Sequence, residues 1–348
     1  MSATGPSDAA ELRPEAQARR LRNGIITLVV LVALAVSLLI AVPGLHGVAR
    51  VLTRMTPGWV LAALAFEILS CLGYVLIFLT VFDRAPLVFG ARVALTEMAF
   101  GAAVSLGGAG SIAVGAWLLR ERGLPLGHIA QRSAMLFLLT SAINGITLIL
   151  FGGLLGLGVL PGPHNPLLSL LPAGFSVAVF AFFLVLPRFT EGRARARQQG
   201  RLATLLLGIA ETIRATRRLL ISTDWRLLGA FAYLWFDIAV LWACFRATGH
   251  APPIAVIVLA YQIGYLANVV PIPGNVGVLE ASFVGMFVLY GANATTATAA
   301  SVAYHAIALW IPATWGTISF IRLRRSAHEP LIPRVSREER AQARAEKR

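Results

Sequence analysis

The sequence predicts an all-α fold, a polytopic transmembrane helix bundle arranged as an inverted repeat with two re-entrant hairpins. Three observations predict it. The 348 residues are 57% hydrophobic and 13% charged, and apolar runs of 18 or more residues recur, the length a helix needs to cross a bilayer. Two apolar segments are interrupted by helix breakers, Gly107-Gly108-Ala109-Gly110 and Pro271-Ile272-Pro273-Gly274-Asn275-Val276-Gly277, and such breaks are tolerated at membrane depth only where backbone is buried in protein or lines a wet cavity. Of the 30 Lys and Arg residues, 26 fall in segments assigned to one side, the bias that marks cytoplasmic loops.

Residues 1–24 are polar, rich in Ala and Arg, and read as a disordered basic cytoplasmic tail. Arg13, Arg19, Arg20 and Arg22 precede an apolar run over 25–42. That run is long for a signal peptide, and Pro43-Gly44 is a poor cleavage site, so it reads as a first span. Residues 59–82 form the second, with Trp59 at an interface and Glu67 near the middle. Residues 86–119 are apolar but broken at 105–110, and the limb 111–119 would reach only about 14 Å against about 30 Å of hydrocarbon. With Arg84 before it and Arg120-Glu121-Arg122 after it, this segment reads as a hairpin entering and leaving on one face. Residues 133–160 then cross, 161–166 turn, and 167–186 return.

The basic stretch 188–226 contains an amphipathic helical pattern. Leu202, Leu205, Leu206, Ile209, Ile213 and Leu220 recur at helical spacing, with Arg201, Glu211, Arg214, Arg217 and Arg218 on the other side. Such a helix lies on headgroups, either as a topology-setting linker or as a surface that gathers anionic lipid. Residues 227–245 cross with Asp237 near the middle, 254–270 and 278–290 flank the second break, and 296–321 form the last span before a basic cytoplasmic tail, 322–348. The membrane domain therefore covers 25–321, in halves of about 25–160 and 167–321.

Each half reads span, span, hairpin, span, with the first hairpin entered from inside and the second from outside. Each second span carries one central acid, Glu67 or Asp237. Inverted repeats with interrupted helices are a transporter architecture whose substrate site lies at the breaks, so the substrate-binding candidates are Gly107, Gly108, Gly110, Pro271, Pro273, Gly274, Asn275, Gly277 and Glu280. Four of the 16 acids fall in membrane segments: Glu67, Glu97, Asp237 and Glu280. A charge at the centre of a span costs about 2.5–3.5 kcal/mol, so a wet cavity, a counter-ion or a proton is expected beside them. Glu67, Arg92, Glu97 and Asp237 are thus the intramembrane charge and proton candidates, with Arg92 near enough along the helix to pair with Glu97. Glu280, in the first turn of a helix starting near Gly277, either caps that helix, as the macrodipole favours, or serves the site.

Several chemistries are excluded. The only lysine is Lys347, so no Gly-rich phosphate loop ending in Lys-Ser or Lys-Thr exists. The six histidines lack metal-binding spacing, no cofactor motif is present, and Ser105 has no neighbouring base; no catalytic residue and no metal are expected. His305 reads as a packed or hydrogen-bonded histidine, and Cys71 and Cys244 as packing residues. The net charge of +14 resides in loops flanking spans, which points to membrane lipid and not to nucleic acid.

The stretch from Pro271 through Gly274, Gly277 and Glu280 to Ala281, followed by an apolar limb to Tyr290-Gly291, resembles the Pro-rich, Gly-x-x-Gly-x-x-Glu signature of the lysylphosphatidylglycerol synthase transmembrane region family, the flippase-like domain. Residues 107–123 are similar to that family's first Gly-rich motif with its basic turn, except that 105–111 replace an expected Pro and Gly-Glu pair. The resemblance covers about 20–325. With 27 residues beyond Ile321, a stand-alone member without the soluble aminoacyltransferase domain is expected. The resemblance implies a protein of the cell inner membrane, both termini cytoplasmic, that binds and translocates an amphipathic lipid between leaflets, either an aminoacyl-phospholipid or a polyprenyl-phosphate-linked sugar. Implied partners are those anionic phospholipid or polyprenyl-phosphate lipids and an envelope glycosyltransferase or aminoacyltransferase. Two other classes stay open. One is a membrane-embedded glycosyl or acyl transferase on a lipid carrier, which outer loops without an acidic residue disfavour. The other is a non-catalytic scaffold docking through 188–226.

Overall fold

The structure, a computed structural model, describes residues 46–103, 109–163, 165–196, 201–222, 224–265 and 276–325. The chain divides into two compact units, Met1–Arg54 and Met55–Arg348. In the first unit the described element is a short helix, α1 (His46–Thr53), where the sequence predicts only an outer loop. The expected span over 25–42 and the tails 1–24 and 326–348 lie outside the described residues.

The described residues of the second unit are helical and include no strand. Its elements are α2 (Pro57–Val81), α3 (Leu87–Ala103), α4 (Ala109–Glu121), α5 (Leu126–Gly156), α6 (Pro166–Ala196), α7 (Arg201–Ile221), a 3-10 turn (Trp225–Leu227), α8 (Leu228–Ala247), α9 (Ile254–Tyr265), α10 (Val276–Leu289) and α11 (Ala294–Arg325). Helices α2, α5, α6, α8 with its preceding turn, and α11 are long and apolar enough to cross a membrane. The protein is a polytopic helical bundle.

Its central packing is an antiparallel crossing of α2 and α8. Trp59 meets Trp242 edge-on at 5.2 Å, Phe66 stacks on Phe236 at 6.0 Å, and Tyr74 lies 5.1 Å from Tyr233, so the two helices run in opposite directions. Two glycines allow the closest approach. A Cβ on Gly73 would sit 2.6 Å from the Tyr233 amide nitrogen, and one on Gly229 would sit 2.8 Å from the Gly73 carbonyl oxygen. Backbone thus meets backbone, and small residues at such crossings supply the dispersion contacts that hold membrane helices together without a hydrophobic driving force.

Around this crossing the chain repeats itself. Helices α2, α3, α4 and α5 are followed, 167 to 171 residues later, by α8, α9, α10 and α11 at their first residues. The turns after α4 and α10 share a left-handed glycine, Gly123 at φ 86° and Gly291 at φ 87°. Gly123 and Leu124 donate their N–H groups to the carbonyls of Arg120 and Leu119, and Gly291 and Ala292 donate to those of Val288 and Phe287. Both are Schellman caps, where a residue without Cβ takes the positive φ at no steric cost. Because α2 and α8 are antiparallel, the leading helices of the two four-helix units point in opposite directions.

Helices α3 and α4 form an antiparallel pair, since Gly101 faces Ser111 and Glu97 faces Gly115. The long helix α11 closes over α3: a Cβ on Gly316 would run into the Leu95 carbonyl and the Ala99 side chain. Helix α6 returns antiparallel to α5 and leaves Leu171, Phe175, Phe182 and Phe189 exposed, as expected of a face turned to lipid.

Several boundaries differ from expectation. Helix α5 starts at Leu126, seven residues before the expected span, because Pro125 presets its entry. Helix α6 continues through Pro187 to Ala196, since one missing N–H removes a rung without ending the ladder. Gly110, expected in the first break, lies in the first turn of α4. Helix α7 rests on α5 and α6 through buried Ala210, Thr212 and Thr216, while Ile209 and Leu220 of the expected apolar stripe are exposed. Thr212 and Thr216 can be buried because their hydroxyls donate one turn back, to the Gly208 and Thr212 carbonyls at 2.8 Å.

The crossing makes a direct prediction for stability in detergent. Gly73→Ala should destabilise by about 1–3 kcal/mol, the usual cost of overpacking against atoms that cannot yield. Gly153→Ala on α5, where nothing lies within 4 Å of the added Cβ, should be neutral or stabilise by up to about 1 kcal/mol through helix propensity. Thermal unfolding of the two variants side by side measures the contrast.

Candidate functional site

The acids of α2 and α8 arrive at the crossing together. Phe66 and Phe236, the stacked pair, immediately precede Glu67 and Asp237, and one turn away Ser70 donates its hydroxyl to the Tyr233 carbonyl at 2.8 Å. The two carboxylates interact electrostatically across the interface. Glu67 is only 3% exposed, its Oε1 receives a weak bond from the Cys71 thiol at 3.8 Å, and its Oε2 has no hydrogen-bond partner. Cys71 therefore does more than fill space.

Asp237 is better supplied. Tyr261 of α9 donates its hydroxyl to Oδ2, and Tyr304 of α11 lies 3.1 Å from both carboxylate oxygens. The Tyr265 hydroxyl is 3.1 Å from that of Tyr304, so Tyr265 can donate to Tyr304 while Tyr304 donates to Asp237. Phe283 of α10 holds this cluster in place, stacking on Tyr304 at 6.0 Å and meeting Tyr261 and Tyr265 edge-on. His305 packs against Tyr304 and Phe283, with Nδ1 3.4 Å from the Ser301 hydroxyl.

The third acid, Glu97 of α3, is 4% exposed and accepts the Tyr74 hydroxyl at 2.9 Å. Its carboxylate occupies the space beside Gly115 of α4, where any Cβ would collide with it. Among the described residues Glu97 makes no ion pair with Arg92, so that expectation is corrected: a phenol one helix away reaches the carboxylate where the guanidinium five residues back does not. Tyr74 touches Tyr233, whose own helix carries Asp237 one turn on, and a polar string thus runs from Glu97 through Tyr74 and Tyr233 to the Glu67 and Asp237 pair and on to Tyr261, Tyr304 and Tyr265. The amide of Gln262 on α9 is also buried with neither atom hydrogen-bonded.

Glu280 is the fifth residue of α10, and no acid lies in that helix's first turn. This corrects the expected position and weakens the capping reading, because free N–H groups and the dipole's favour are confined to the first turn. Gly277 lies in that first turn. Gly107, Gly108, Pro271, Pro273, Gly274 and Asn275 lie outside the described residues, as does the Glu280 side chain.

Sequence reasoning missed the phenols. The chain has six tyrosines, and five of them (Tyr74, Tyr233, Tyr261, Tyr265 and Tyr304) belong to the string. The available signal was their depth: tyrosine favours the membrane interface, and these sit well inside apolar segments. The sixth, Tyr290, donates to the Leu168 carbonyl at 2.8 Å and ties the end of α10 to α6.

Comparison with known proteins adds two findings. Residues 25–316 match the family described as Lysylphosphatidylglycerol synthase TM region. A protein of Methanothermobacter thermautotrophicus described as a UPF0104 membrane protein is 25% identical over 339 residues, covering 87% of this chain and 94% of that protein.

The contact between Glu97 and Gly115 can be tested by a double-mutant cycle. Gly115→Ala should displace Glu97 from Tyr74 and destabilise by about 1–3 kcal/mol. In a Glu97→Ala background, where space has been opened, the same substitution should cost no more than about 0.5 kcal/mol, the margin within which independent sites add. Thermal unfolding of the four proteins reads the difference.

Proposed function

The chain belongs to the Lysylphosphatidylglycerol synthase TM region family, and from that premise we propose that this multi-pass membrane protein binds an amphipathic lipid and moves it between leaflets. The observation that carries the reading is the buried string of carboxylates and phenols at the crossing of two oppositely oriented helical units. Acids this deep in an apolar bundle are costly to insert, and inverted units of this kind are where transporters place their substrate sites. The paired helices α3 with α4 and α9 with α10 are the moving gates. Their described stretches of 17, 13, 12 and 14 residues extend about 18–26 Å against about 30 Å of hydrocarbon, which supports reading them as re-entrant hairpins.

Charge supports an orientation. One end of the bundle gathers Arg132 against Asp83 at 3.7 Å, Arg324 against Glu121 at 3.6 Å, and Arg122 over Phe89. The opposite end of α2 and α8 presents Arg246 over Trp59 and Trp242. By the positive-inside rule the Arg-rich end and both termini are cytoplasmic, in the cell inner membrane. The lipid is an aminoacyl-phospholipid or a polyprenyl-phosphate-linked sugar, handed over by an envelope aminoacyltransferase or glycosyltransferase. The protein itself is a carrier and not an enzyme.

Proteoliposomes carrying fluorescent aminoacyl-phosphatidylglycerol or a polyprenyl-phosphate sugar in one leaflet test this. Wild-type protein should accelerate exchange of one of them. Asp237→Asn should slow it by about tenfold or more, the equivalent of one lost charged hydrogen bond in the limiting step. No acceleration of either lipid by folded wild-type protein would sink the reading.

A further inference from the structure

Glu67 and Asp237 share one interface that, among the described residues, holds no guanidinium paired to either acid. Among the described residues, the titratable groups facing the pair are Cys71 from α2, Tyr233 from α8, Tyr261 and Tyr265 from α9, and Tyr304 and His305 from α11. Glu97 of α3 joins only through Tyr74. Among the described residues neither acid of the pair makes an ion pair. Two like charges side by side and away from water do not both stay ionised.

Their donor sets differ, and the difference assigns the roles. Asp237 is surrounded by hydroxyls: Tyr261 donates to it, and Tyr304 donates to it while accepting from Tyr265. A carboxylate supplied this way is stable as an anion. Glu67 has one weak thiol contact on Oε1 and no partner on Oε2, an environment that suits a neutral acid with its proton on the unpartnered oxygen. Two neighbouring carboxyl groups in environments this different divide the labour of holding and releasing a proton.

We propose that Glu67 and Asp237 form a proton-binding site, with the proton on Glu67 and Asp237 ionised, and that uptake and release of this proton drives lipid passage. The inference rests on the lipid-moving reading above. In each cycle one proton from water on one side forms an O–H bond at Glu67 Oε2. Later that bond breaks, and the proton leaves to water on the other side, with no change in oxidation state.

Two measurements test it, and they fail separately. The first is infrared difference spectroscopy of purified protein at neutral pH, wild type against Glu67→Gln. The carbonyl stretch of a protonated carboxylic acid should be present in wild type and lost in the variant, and its absence from wild type overturns the proton site. The second uses the same proteoliposomes with a tenfold proton gradient and the membrane potential clamped at zero. One proton per lipid then sustains a leaflet asymmetry of about tenfold. Glu67→Gln should abolish that asymmetry, and Glu67→Asp, which keeps a titratable oxygen, should retain part of it. Lipid exchange that ignores the gradient in wild type would overturn the coupling and leave the carrier reading standing. No lipid exchange at all would overturn the carrier reading and the coupling with it, while the infrared band would still decide whether the site holds a proton.

Discussion

Glycine against backbone, at the crossing of α2 and α8, is the contact from which the rest of the interior follows. Because Gly73 and Gly229 carry no side chain, the helices approach until the Gly73 carbonyl and the Tyr233 amide are near neighbours of the opposite helix's Cα hydrogens. Only at that separation can Phe66 stack on Phe236 and Ser70 reach the Tyr233 carbonyl. These contacts put Glu67 and Asp237 in the same dry interface. A larger residue at either glycine would hold the acids apart, weakening both their mutual repulsion and the reason for hydroxyls to collect around Asp237.

The two halves solve the same problem with donor and acceptor exchanged. In the first half α2 supplies the phenol and α3 the acid, Tyr74 to Glu97; in the second α8 supplies the acid and α9 the phenol, Asp237 from Tyr261. Each bond ties the first limb of a helical pair to the first helix of its own four-helix unit. A hydrogen bond of this kind has a net value of about 0.5–3 kcal/mol, the upper part of the range applying where the carboxyl is ionised. That is enough to hold each pair in place and little enough for a bound ligand's differential contacts to overcome. The second unit is held more firmly, since Tyr304 and Tyr265 extend its network and Phe283 buttresses it, while α4 meets Glu97 only through the space left by Gly115.

What the sequence disclosed was whatever violates the apolar pattern or obeys it at length. Spans such as α2 and α8 follow from run length, and Glu67, Glu97 and Asp237 stand out because carboxylates break a hydropathy run. Tyrosine does not break such a run, so the phenols that partner these acids were invisible as a set. Their pairings join residues far apart in sequence, Tyr304 with Asp237 across 67 positions and Ser70 with Tyr233 across 163, and periodicity carries no information at that range. The expectations for Arg92 and Glu280 failed for a related reason. Both were local, built on helical spacing and a helix start, and in one case a tertiary partner replaced the local one while in the other the helix starts at Val276, one residue earlier, which carries Glu280 just past the first turn. The role of Gly115 was legible only as one more glycine in a Gly-rich segment.

The separation of charge also bears on what could pass through such a bundle. Arg122, Arg132 and Arg324 gather at one end and Arg246 lies at the other, while the described surroundings of Glu67, Glu97 and Asp237 hold carboxylates and phenols and no ion-paired arginine. In the lipid-moving reading an anionic phosphate meets favourable partners at the rim and repulsion further in, unless a proton accompanies it or the rest of the headgroup makes up the difference. Hydroxyl or ammonium groups, by contrast, find acceptors along the whole string. A carrier with one ionised and one protonated acid at its centre lowers the barrier from both directions: Asp237 attracts donors, and a proton on Glu67 removes one of the two charges a phosphate would otherwise face. In that reading, bringing the two acids together, at first sight the least stable choice for a membrane interior, is what would let one site accept both parts of an amphipathic headgroup in turn.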